Sequence, residues 1–222
     1  MAKPPPLRYR DISKSSPHSR LSMSTAPEKT VWTAVPVPST NVTVYEAIYR
    51  RRMAWSFLDK PVPRESLERM LSAAVWAPNH RMTEPWRFVV LEKGTPLRER
   101  VGELAYCGTL GAMGAERAEA YRRKVTDPPV VMFVYNAKGP DDFVTRENYA
   151  ATVCAIQNMA LAGVAEDLAV TWETGRVTRV PGLAEALGAR PDWEMVTMLT
   201  IGFTEEQSNA SRTPAGHFTR WA

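Results

Sequence analysis

The sequence predicts a layered α/β domain, and three observations support that fold class. Short apolar runs of strand length alternate along the chain with longer segments whose apolar residues recur at helical spacing, which is the pattern of strands separated by helices. The chain of 222 residues can bury one substantial core. Its 44% hydrophobic and 23% charged residues are typical of a globular domain.

The N-terminal segment, residues 1–40, differs from the rest because it is rich in proline, serine and basic residues and lacks hydrophobic periodicity. This composition predicts a disordered arm, followed by one domain over residues 41–222 with a polar C-terminal arm from about residue 204. The N-terminal arm loosely resembles an organellar transit peptide, although Asp11 and Glu28 count against targeting, and Met23 offers an alternative start. We prefer an ordinary disordered tail to a targeting or RNA-binding arm.

Composition also bounds the location and the partners. No apolar run approaches the roughly 20 residues that a membrane helix needs, and the formal net charge of +4 is too small to indicate a nucleic-acid partner. Neither Cys107 nor Cys154 belongs to a CxxC or Cys/His pattern, which argues against structural zinc and against disulfides. We therefore expect a cytoplasmic protein that uses no metal and binds neither nucleic acid nor membrane.

The first helix is predicted by a capping box, in which Thr43 is followed three residues later by Glu46. Val44, Ala47 and Ile48 have the spacing of its apolar face.

The remaining elements follow from spacing and from helix-breaking residues. Prolines at positions 61 and 63 separate the first helix from a second, which Pro78 ends. Strands are predicted at residues 87–92, 128–137, 168–172 and 194–203. Further helices are predicted at residues 64–77, from Pro96 past Leu104, on a mobile surface segment within residues 107–126, at about 145–165, and at 183–187 before Gly188.

Three places concentrate side chains suited to chemistry. Arg50, Arg51 and Arg52 end the first helix, where cations offset the helix dipole and where guanidinium groups could also bind phosphate. A polar loop after the second helix carries a histidine, and the segment "TWETG" follows the third strand at the end where α/β sheets place ligands. Taken singly, each has an ordinary structural explanation: a solvated basic end, a surface histidine and a core tryptophan.

Missing motifs exclude several types of site. The chain has no GxSxG, no GxGxxG and no P-loop lysine. His18 and His217 lie in the predicted arms, which leaves His80 without a partner for a metal site or a catalytic triad. Because side chains for acid–base catalysis are so few, we expect a cofactor to carry the chemistry, with no catalytic side chain.

Three motifs occur together in a recognisable order and spacing. They are "YEAIYRRRMAWSFLDKPVPRESLERMLSAAVWAP", "APNHRMTEPWRFVVL" and "LAVTWETG". Jointly they resemble the opening Arg-Arg-Ser-x-Arg run, the Ala-Pro-Ser-x-x-x-x-Gln-Pro-Trp segment and the late strand facing flavin N5 of the nitroreductase-like FMN flavoproteins. The resemblance covers roughly residues 42–220, and "TEPW" adds a more distant similarity to iodotyrosine deiodinase.

The resemblance implies a three-layer α+β fold in which helices flank a central, mostly antiparallel sheet. It also implies an intertwined homodimer with FMN at the subunit interface and NAD(P)H as co-substrate. The helix at about 145–165 is apolar nearly all round and rich in small residues, so it would be the core of the dimer.

Site residues are implied position by position. Arg51, Arg52 and Arg212 would bind the FMN phosphate, and Met53 would take the place of a ribityl-contacting serine. Pro78, Asn79 and His80 would pack on the isoalloxazine from the partner subunit, and Glu84 would lie at the flavin edge. Trp172, Glu173 and Thr174 would line the other side, with a backbone N–H directed at N5.

Three residues depart from the family pattern. Met53 cannot donate the hydrogen bond of the family's serine, and Trp55 replaces a usual arginine. Glu84 stands where many relatives have an amide, and an ionised carboxylate accepts hydrogen bonds but cannot donate them.

The implied function is transfer of a hydride from NAD(P)H through flavin N5 to a nitroaromatic, a quinone or a similar small acceptor, by a ping-pong mechanism. The alternatives are a specialised flavin reaction such as reductive dehalogenation, a non-catalytic flavin-binding or interaction protein, and nucleic-acid binding through the basic arm. Glu116, Tyr121 and Lys124 match the substrate clamp of the deiodinases only loosely, so a small nitroreductase-like enzyme is preferred.

Overall fold

The structure is a computed structural model, and it describes residues 40–222. The predicted N-terminal arm, except for its last residue, lies outside the described residues. The helices are α1 (Val44–Arg50), α2 (Arg64–Ala74), α3 (Pro96–Met113), α4 (Ala115–Thr126), α5 (Asp142–Ala165) and α6 (Leu183–Ala186), and the strands are β1 (Trp86–Glu92), β2 (Val130–Ala137), β3 (Ala169–Glu173) and β4 (Trp193–Gly202).

The four strands form one sheet in the order β1-β2-β4-β3, and every neighbouring pair is antiparallel. All four strands occur where the sequence predicts them. An irregularity in the pairing of β2 with β4 lies between Val134 and Tyr135. The helical crossovers alone would also fit a parallel sheet, so strand direction was implied by the family resemblance rather than by the strand and helix pattern.

Successive residues of β2 point to opposite faces of the sheet and enter two different cores. Met132 and Val134 pack in a cluster with side chains of α2 and α5. Val131 and Phe133 pack in a second cluster with side chains of α3 and α6. Because each face is covered by helices, the domain has the three layers that the resemblance implies.

The N-terminus of α1 has the predicted capping box. Thr43 Oγ1 accepts from Glu46 N at 3.2 Å, and the Glu46 carboxylate accepts from Thr43 N at 2.7 Å. The prediction for its apolar face was wrong within this chain, because Ala47 alone is buried whereas Val44 and Ile48 are exposed. The helix has only seven residues, and of these Ala47 alone is buried against the rest of the chain.

The segment predicted as a mobile surface helix is the end of α3 followed by α4. Gly114, with φ +77°, separates the two helices in a conformation that favours glycine. A Cβ added at Gly102 in α3 would lie 2.8 Å from Thr126 Cγ2, so α4 packs closely on α3. With Ala118 and Val125 buried, α4 contributes to the core.

Arg98 in α3 is fully buried, which the sequence did not predict. Its guanidinium donates to the carbonyl oxygens of Val125 at 2.7 Å, Leu91 at 3.0 Å and Pro129 at 3.1 Å, and also to that of Pro128. Burial lowers the pKa of Arg98 to about 10, so the side chain is charged at neutral pH. One cation thereby joins the end of α4 to strand β1 and to the two residues that precede β2.

The long helix α5 begins earlier than predicted, because Asp141 caps it by accepting from Val144 N at 2.8 Å. Its inner face is buried, whereas Phe143, Tyr149 and Cys154 are exposed on its outer side. Within residues 40–222, no helix is both long enough and apolar enough to cross a membrane.

Candidate active site

The chain that follows α1 is fixed to strand β3 before it reaches the next helix. Thr171 Oγ1 accepts from Ala54 N at 2.9 Å and donates to Ala54 O at 2.5 Å. Both residues are buried. The backbone immediately after the three arginines is therefore held against the middle of β3.

A carboxylate from the C-terminal segment holds the next two residues. Glu206 accepts from Trp55 N at 2.9 Å, from Ser56 N at 2.7 Å and from Ser56 Oγ at 2.7 Å. The Ser56 hydroxyl and the Trp55 N–H lower the pKa of Glu206. The C-terminal segment after β4 thus returns to the residues that follow α1.

Two of the three predicted phosphate-binding residues, Arg51 and Arg52, line one cavity beside these attachments. Arg51, Arg52 and Met53 line a cavity of about 490 Å³, together with residues at the start of β3 and four residues of the segment after β4. Burial lowers the pKa of the Arg51 guanidinium, and the nearby charges of Arg52 and Arg212 lower it further. The structure therefore places Arg51 and Arg52 at one cavity, whereas Arg212 does not line it and is linked to them through its charge near Arg51.

Arg52 is only partly satisfied by the protein. Its Nη1 donates to Tyr49 O at 2.6 Å and to Arg51 O at 2.8 Å. Its Nε is buried, and among residues 40–222 it has no hydrogen-bond partner. An unpaired charged donor beside two other cations is suited to binding an anion with several oxygens.

The end of β3 lines a second cavity, of about 430 Å³, with Trp55 and Lys124 in its wall. Glu173 binds Lys124 there, with Oε2 2.6 Å from Nζ. Trp172 is half-buried against the core beneath α2 and α5, and Thr174 is exposed in the turn that follows. The predicted residues of "TWETG" therefore lie beside the segment that carries the arginines.

The loop that carries Pro78, Asn79, His80 and Glu84 lies elsewhere, since none of the four lines either cavity. Asn79 Oδ1 accepts from Glu84 N at 3.0 Å. His80 Nδ1 lies 2.8 Å from Glu147 Oε1 in α5. Within one chain, the predicted site residues form two neighbouring groups and one separate loop.

Unfavourable backbone angles are concentrated in that loop. Arg81, Met82 and Glu84 have φ values of +57°, +52° and +44°. Residues other than glycine rarely adopt positive φ values, and the exceptions are often found at functional sites.

Two residues that organise these groups, Glu147 and Glu206, were not named from the sequence, and the contacts made by Thr171 and Lys124 were not predicted either. Each acts on a partner far away along the chain; the bonds of Thr171 and Glu206 span 117 and 150–151 positions. No local pattern reports such a contact. Among residues 40–222, no group of three or more histidine, cysteine, aspartate or glutamate side chains could hold a metal ion.

Comparison with known proteins places this geometry in a family. The model of the nitroreductase family matches residues 48–203. The chain belongs to the nitroreductase family. The match covers the end of α1 with the arginines that follow it, the loop of residues 78–84 and the end of β3, so each of the three sequence motifs lies wholly or mostly within it.

A curated relative and one solved structure support the assignment. YfhC of Bacillus subtilis, named as a candidate NAD(P)H nitroreductase, is 25% identical over 76% of this chain and 89% of its own. A nitroreductase-like protein from Bacillus cereus has a TM-score of 0.75, with 26% identity over 83% of this chain and 98% of that one.

Two further structures are similar in fold alone. NfnB of Sphigopyxis sp. strain HMH, an FMN- and NADPH-dependent nitroreductase, has a TM-score of 0.69 and 19% identity over 81% of this chain and 99% of that one. Iodotyrosine deiodinase, solved with FMN and 3-iodo-L-tyrosine, has a TM-score of 0.61 and 18% identity over 78% of this chain and 96% of that one. The predicted fold and the predicted family resemblance are confirmed.

Proposed function

We propose that the protein is an FMN-dependent oxidoreductase that passes a hydride from NAD(P)H to a nitroaromatic, a quinone or a similar small acceptor by a ping-pong mechanism. Membership of the nitroreductase family supports the reaction class. The name of YfhC supports NAD(P)H as the reductant, and the FMN-dependent neighbours support the cofactor.

The observation that carries the proposal is the pair Arg51 and Arg52 at one cavity, with the charge of Arg212 close enough to Arg51 to lower its pKa. Three close cations repel one another, and a phosphate dianion would relieve this repulsion while accepting from the unpaired Arg52 Nε. Met53 lines the same cavity, but its thioether can only accept weakly, so the arginines and backbone N–H groups would hold the phosphate and the ribityl chain.

The other predicted residues would hold the rest of the cofactor. Trp172, Glu173 and Thr174 would line one side of the isoalloxazine, with a backbone N–H toward N5. Pro78, Asn79 and His80 would pack on it, and Glu84 would lie at its edge. Bound FMN would supply the two-electron chemistry, so the side chains need only bind, orient and exclude water.

A homodimer would bring the separate loop to the site of the partner subunit. Exposed aromatic side chains support this assembly, because monomeric proteins rarely leave so many uncovered. They occur on α1, on α5 and in the C-terminal segment: Tyr45, Tyr49, Phe143, Tyr149, Phe218 and Trp221. The outer side of α5, with Phe143, Tyr149 and Cys154, would be the centre of the interface.

The deiodinase alternative is less well supported by the geometry. Lys124 of the loosely matching clamp is held by Glu173 at 2.6 Å, and Glu116 is exposed at the start of α4. The departures at Met53 and Trp55 leave a non-catalytic flavin-binding protein as the second candidate.

The visible absorption spectrum of the purified full-length chain tests the proposal. We expect the absorption bands of a bound oxidised flavin, and we expect them to bleach anaerobically when NADH or NADPH is added. A chain that binds FMN but is reduced by neither nicotinamide would favour the non-catalytic alternative. A chain that binds no FMN would refute the proposed function.

A further inference from the structure

A histidine–glutamate pair joins the loop of residues 78–84 to α5. His80 Nδ1 lies 2.8 and 2.9 Å from the two carboxylate oxygens of Glu147. A carboxylate without a proton only accepts hydrogen bonds, so Nδ1 must carry the hydrogen. In the neutral ring, the other nitrogen, Nε2, then holds the lone pair and accepts a hydrogen bond rather than donating one.

The exposed side of this histidine is available to a ligand. The His80 side chain is 54% exposed and that of Glu147 is 29% exposed. Within residues 40–222, Nε2 has no hydrogen-bond partner. The pair therefore presents a single acceptor atom at the outer surface of the loop.

The loop beneath this atom is fixed to the core. Thr83 Oγ1 donates to Asn148 Oδ1 at 2.8 Å, and Asn148 Nδ2 donates to Ala137 O at the end of β2 at 2.9 Å. Asn148 is buried. Glu147 and Asn148 are consecutive in α5, so one turn of this helix determines both where the loop lies and how its histidine is oriented.

We propose that Glu147 is a positioning residue that fixes the tautomer and the orientation of His80, and that His80 Nε2 accepts a hydrogen bond from an N–H or O–H group of the bound co-substrate. This inference rests on the proposed function, which places the loop at the flavin. In a nicotinamide, the donor is the N–H of the carboxamide, which is present when the co-substrate binds. A quinone has no O–H when it binds and gains this donor only as it is reduced to the hydroquinone. Because Glu147 already holds the imidazole in one orientation, the histidine can align the ligand without losing conformational freedom of its own on binding.

The tautomer can be measured directly by NMR on the full chain without added FMN. The chain has three histidines, so selective ¹⁵N-histidine labelling gives a simple spectrum, and His80→Gln assigns the signal. At a pH where the ring is neutral, we expect Nδ1 to carry the proton in the parent and Nε2 to carry it in Glu147→Ala. Thr83→Val, which removes a different attachment of the same loop, should retain the proton on Nδ1. An unprotonated Nδ1 in the parent, or the same tautomer in Glu147→Ala, would overturn the role of Glu147.

The ligand is tested by stopped-flow kinetics on the FMN-loaded chain, with the two half-reactions measured separately. If the donor is the carboxamide, we expect His80→Ala and Glu147→Ala each to weaken nicotinamide binding by roughly tenfold, as for one neutral hydrogen bond. If the donor is the hydroxyl that forms during reduction, we expect each variant to slow the quinone half-reaction by a similar factor. In either case the double variant should lose no more than His80→Ala alone. A loss confined to the NADH or NADPH step identifies the carboxamide, and a loss confined to the quinone step identifies the hydroxyl.

The ligand contact would be overturned if the loss in the double variant were the product of the two single losses, or if neither half-reaction were affected. Absence of FMN binding by the parent would refute the proposed function and with it that contact. The tautomer measured without FMN would still decide the role of Glu147.

Discussion

The hydroxyl of Thr171 binds both backbone polar groups of Ala54, accepting from the N–H at 2.9 Å and donating to the carbonyl oxygen at 2.5 Å. The two residues lie 117 positions apart, in β3 and in the chain that follows the arginines. This contact sets how far the arginine segment lies from the end of β3, and therefore whether both can reach one cofactor.

Replacing this hydroxyl should affect stability and cofactor binding together. Thr171→Val keeps the shape of the side chain but leaves two buried backbone groups unpaired, which should lower the free energy of unfolding by roughly 1–3 kcal/mol. It should also reduce the flavin content of the purified protein. Chemical denaturation and the absorption spectrum measure the two effects, and Thr171→Ser, which keeps the hydroxyl, is the control. Unchanged values for Thr171→Val would show that the contact does not hold the site.

The arginine cluster should dominate cofactor affinity. Changing both Arg51 and Arg52 to alanine removes two charge-assisted contacts to the proposed phosphate and should weaken FMN binding by roughly 3–6 kcal/mol. Equilibrium dialysis with FMN gives the dissociation constants. The double variant Arg100→Ala, Arg117→Ala loses the same formal charge at exposed positions outside the cavity and should bind FMN like the parent. An affinity within a few-fold of the parent for the first double variant would refute the phosphate site.

The sequence predicted the strands and most helices because periodicity and helix-breaking residues are local. Thr43 with Glu46 located the start of α1, and Pro78 marked the end of α2 to within a few residues. The burial of Arg98 could not be predicted in the same way, since its four carbonyl partners come from three other segments. The exposure of Val44 and Ile48 could not be predicted either, because an apolar face of a helix indicates that it is covered but not whether its own chain or another one covers it.

The sequence could predict which positions belong to the candidate site, but not the contacts that those residues make. Arg51 and Arg212 were assigned to one phosphate from the family resemblance, and the structure places their charges close enough to interact. The contacts of Glu147, Lys124 and Glu206 have no local signal, since a charged residue usually indicates a solvated face.

Assembly should depend on the outer side of α5. Cys154 is exposed there, so Cys154→Arg should leave the fold of the monomer intact, convert a dimer to monomers and lower its flavin content. Sedimentation velocity across a range of concentrations measures this, and Ala184→Arg, at an exposed position of α6, is the control. Ala155 cannot serve as a test, because its side chain is buried within its own chain. A Cys154→Arg protein that remains dimeric would place the interface elsewhere.

Stability at alkaline pH should reflect the buried phenol of Tyr135. Burial raises its pKa to about 12, and within the described residues its hydroxyl has no hydrogen-bond partner. A phenol ionises near pH 10 when unfolded, so the stability held by the protonated folded form is present below about pH 10 and is lost as the pH rises toward 12. Tyr135→Phe should therefore match or exceed the parent at neutral pH and lose less stability between about pH 10 and 12. Urea titrations at pH 7 and near the alkaline limit compare the two proteins. An equal alkaline loss in Tyr135→Phe would mean that other groups cause it.

Hydride transfer should not require any single side chain. If FMN carries the chemistry, the protein contributes binding, orientation and electrostatics, and the two co-substrates should use the same site in succession, which gives parallel double-reciprocal lines. His80 is the strictest test, since its contact with Glu147 at 2.8 Å is the arrangement by which carboxylates orient catalytic histidines. Because its proposed role is to align a ligand, His80→Ala should slow reduction of the bound flavin far less than the roughly 10²–10⁴-fold loss that follows removal of a general acid or base. Anaerobic stopped-flow reduction by NADH and by NADPH, with flavin occupancy checked beforehand, measures that step. A thousandfold slower reduction at full occupancy would make His80 a catalytic residue and would contradict a mechanism carried by the cofactor alone.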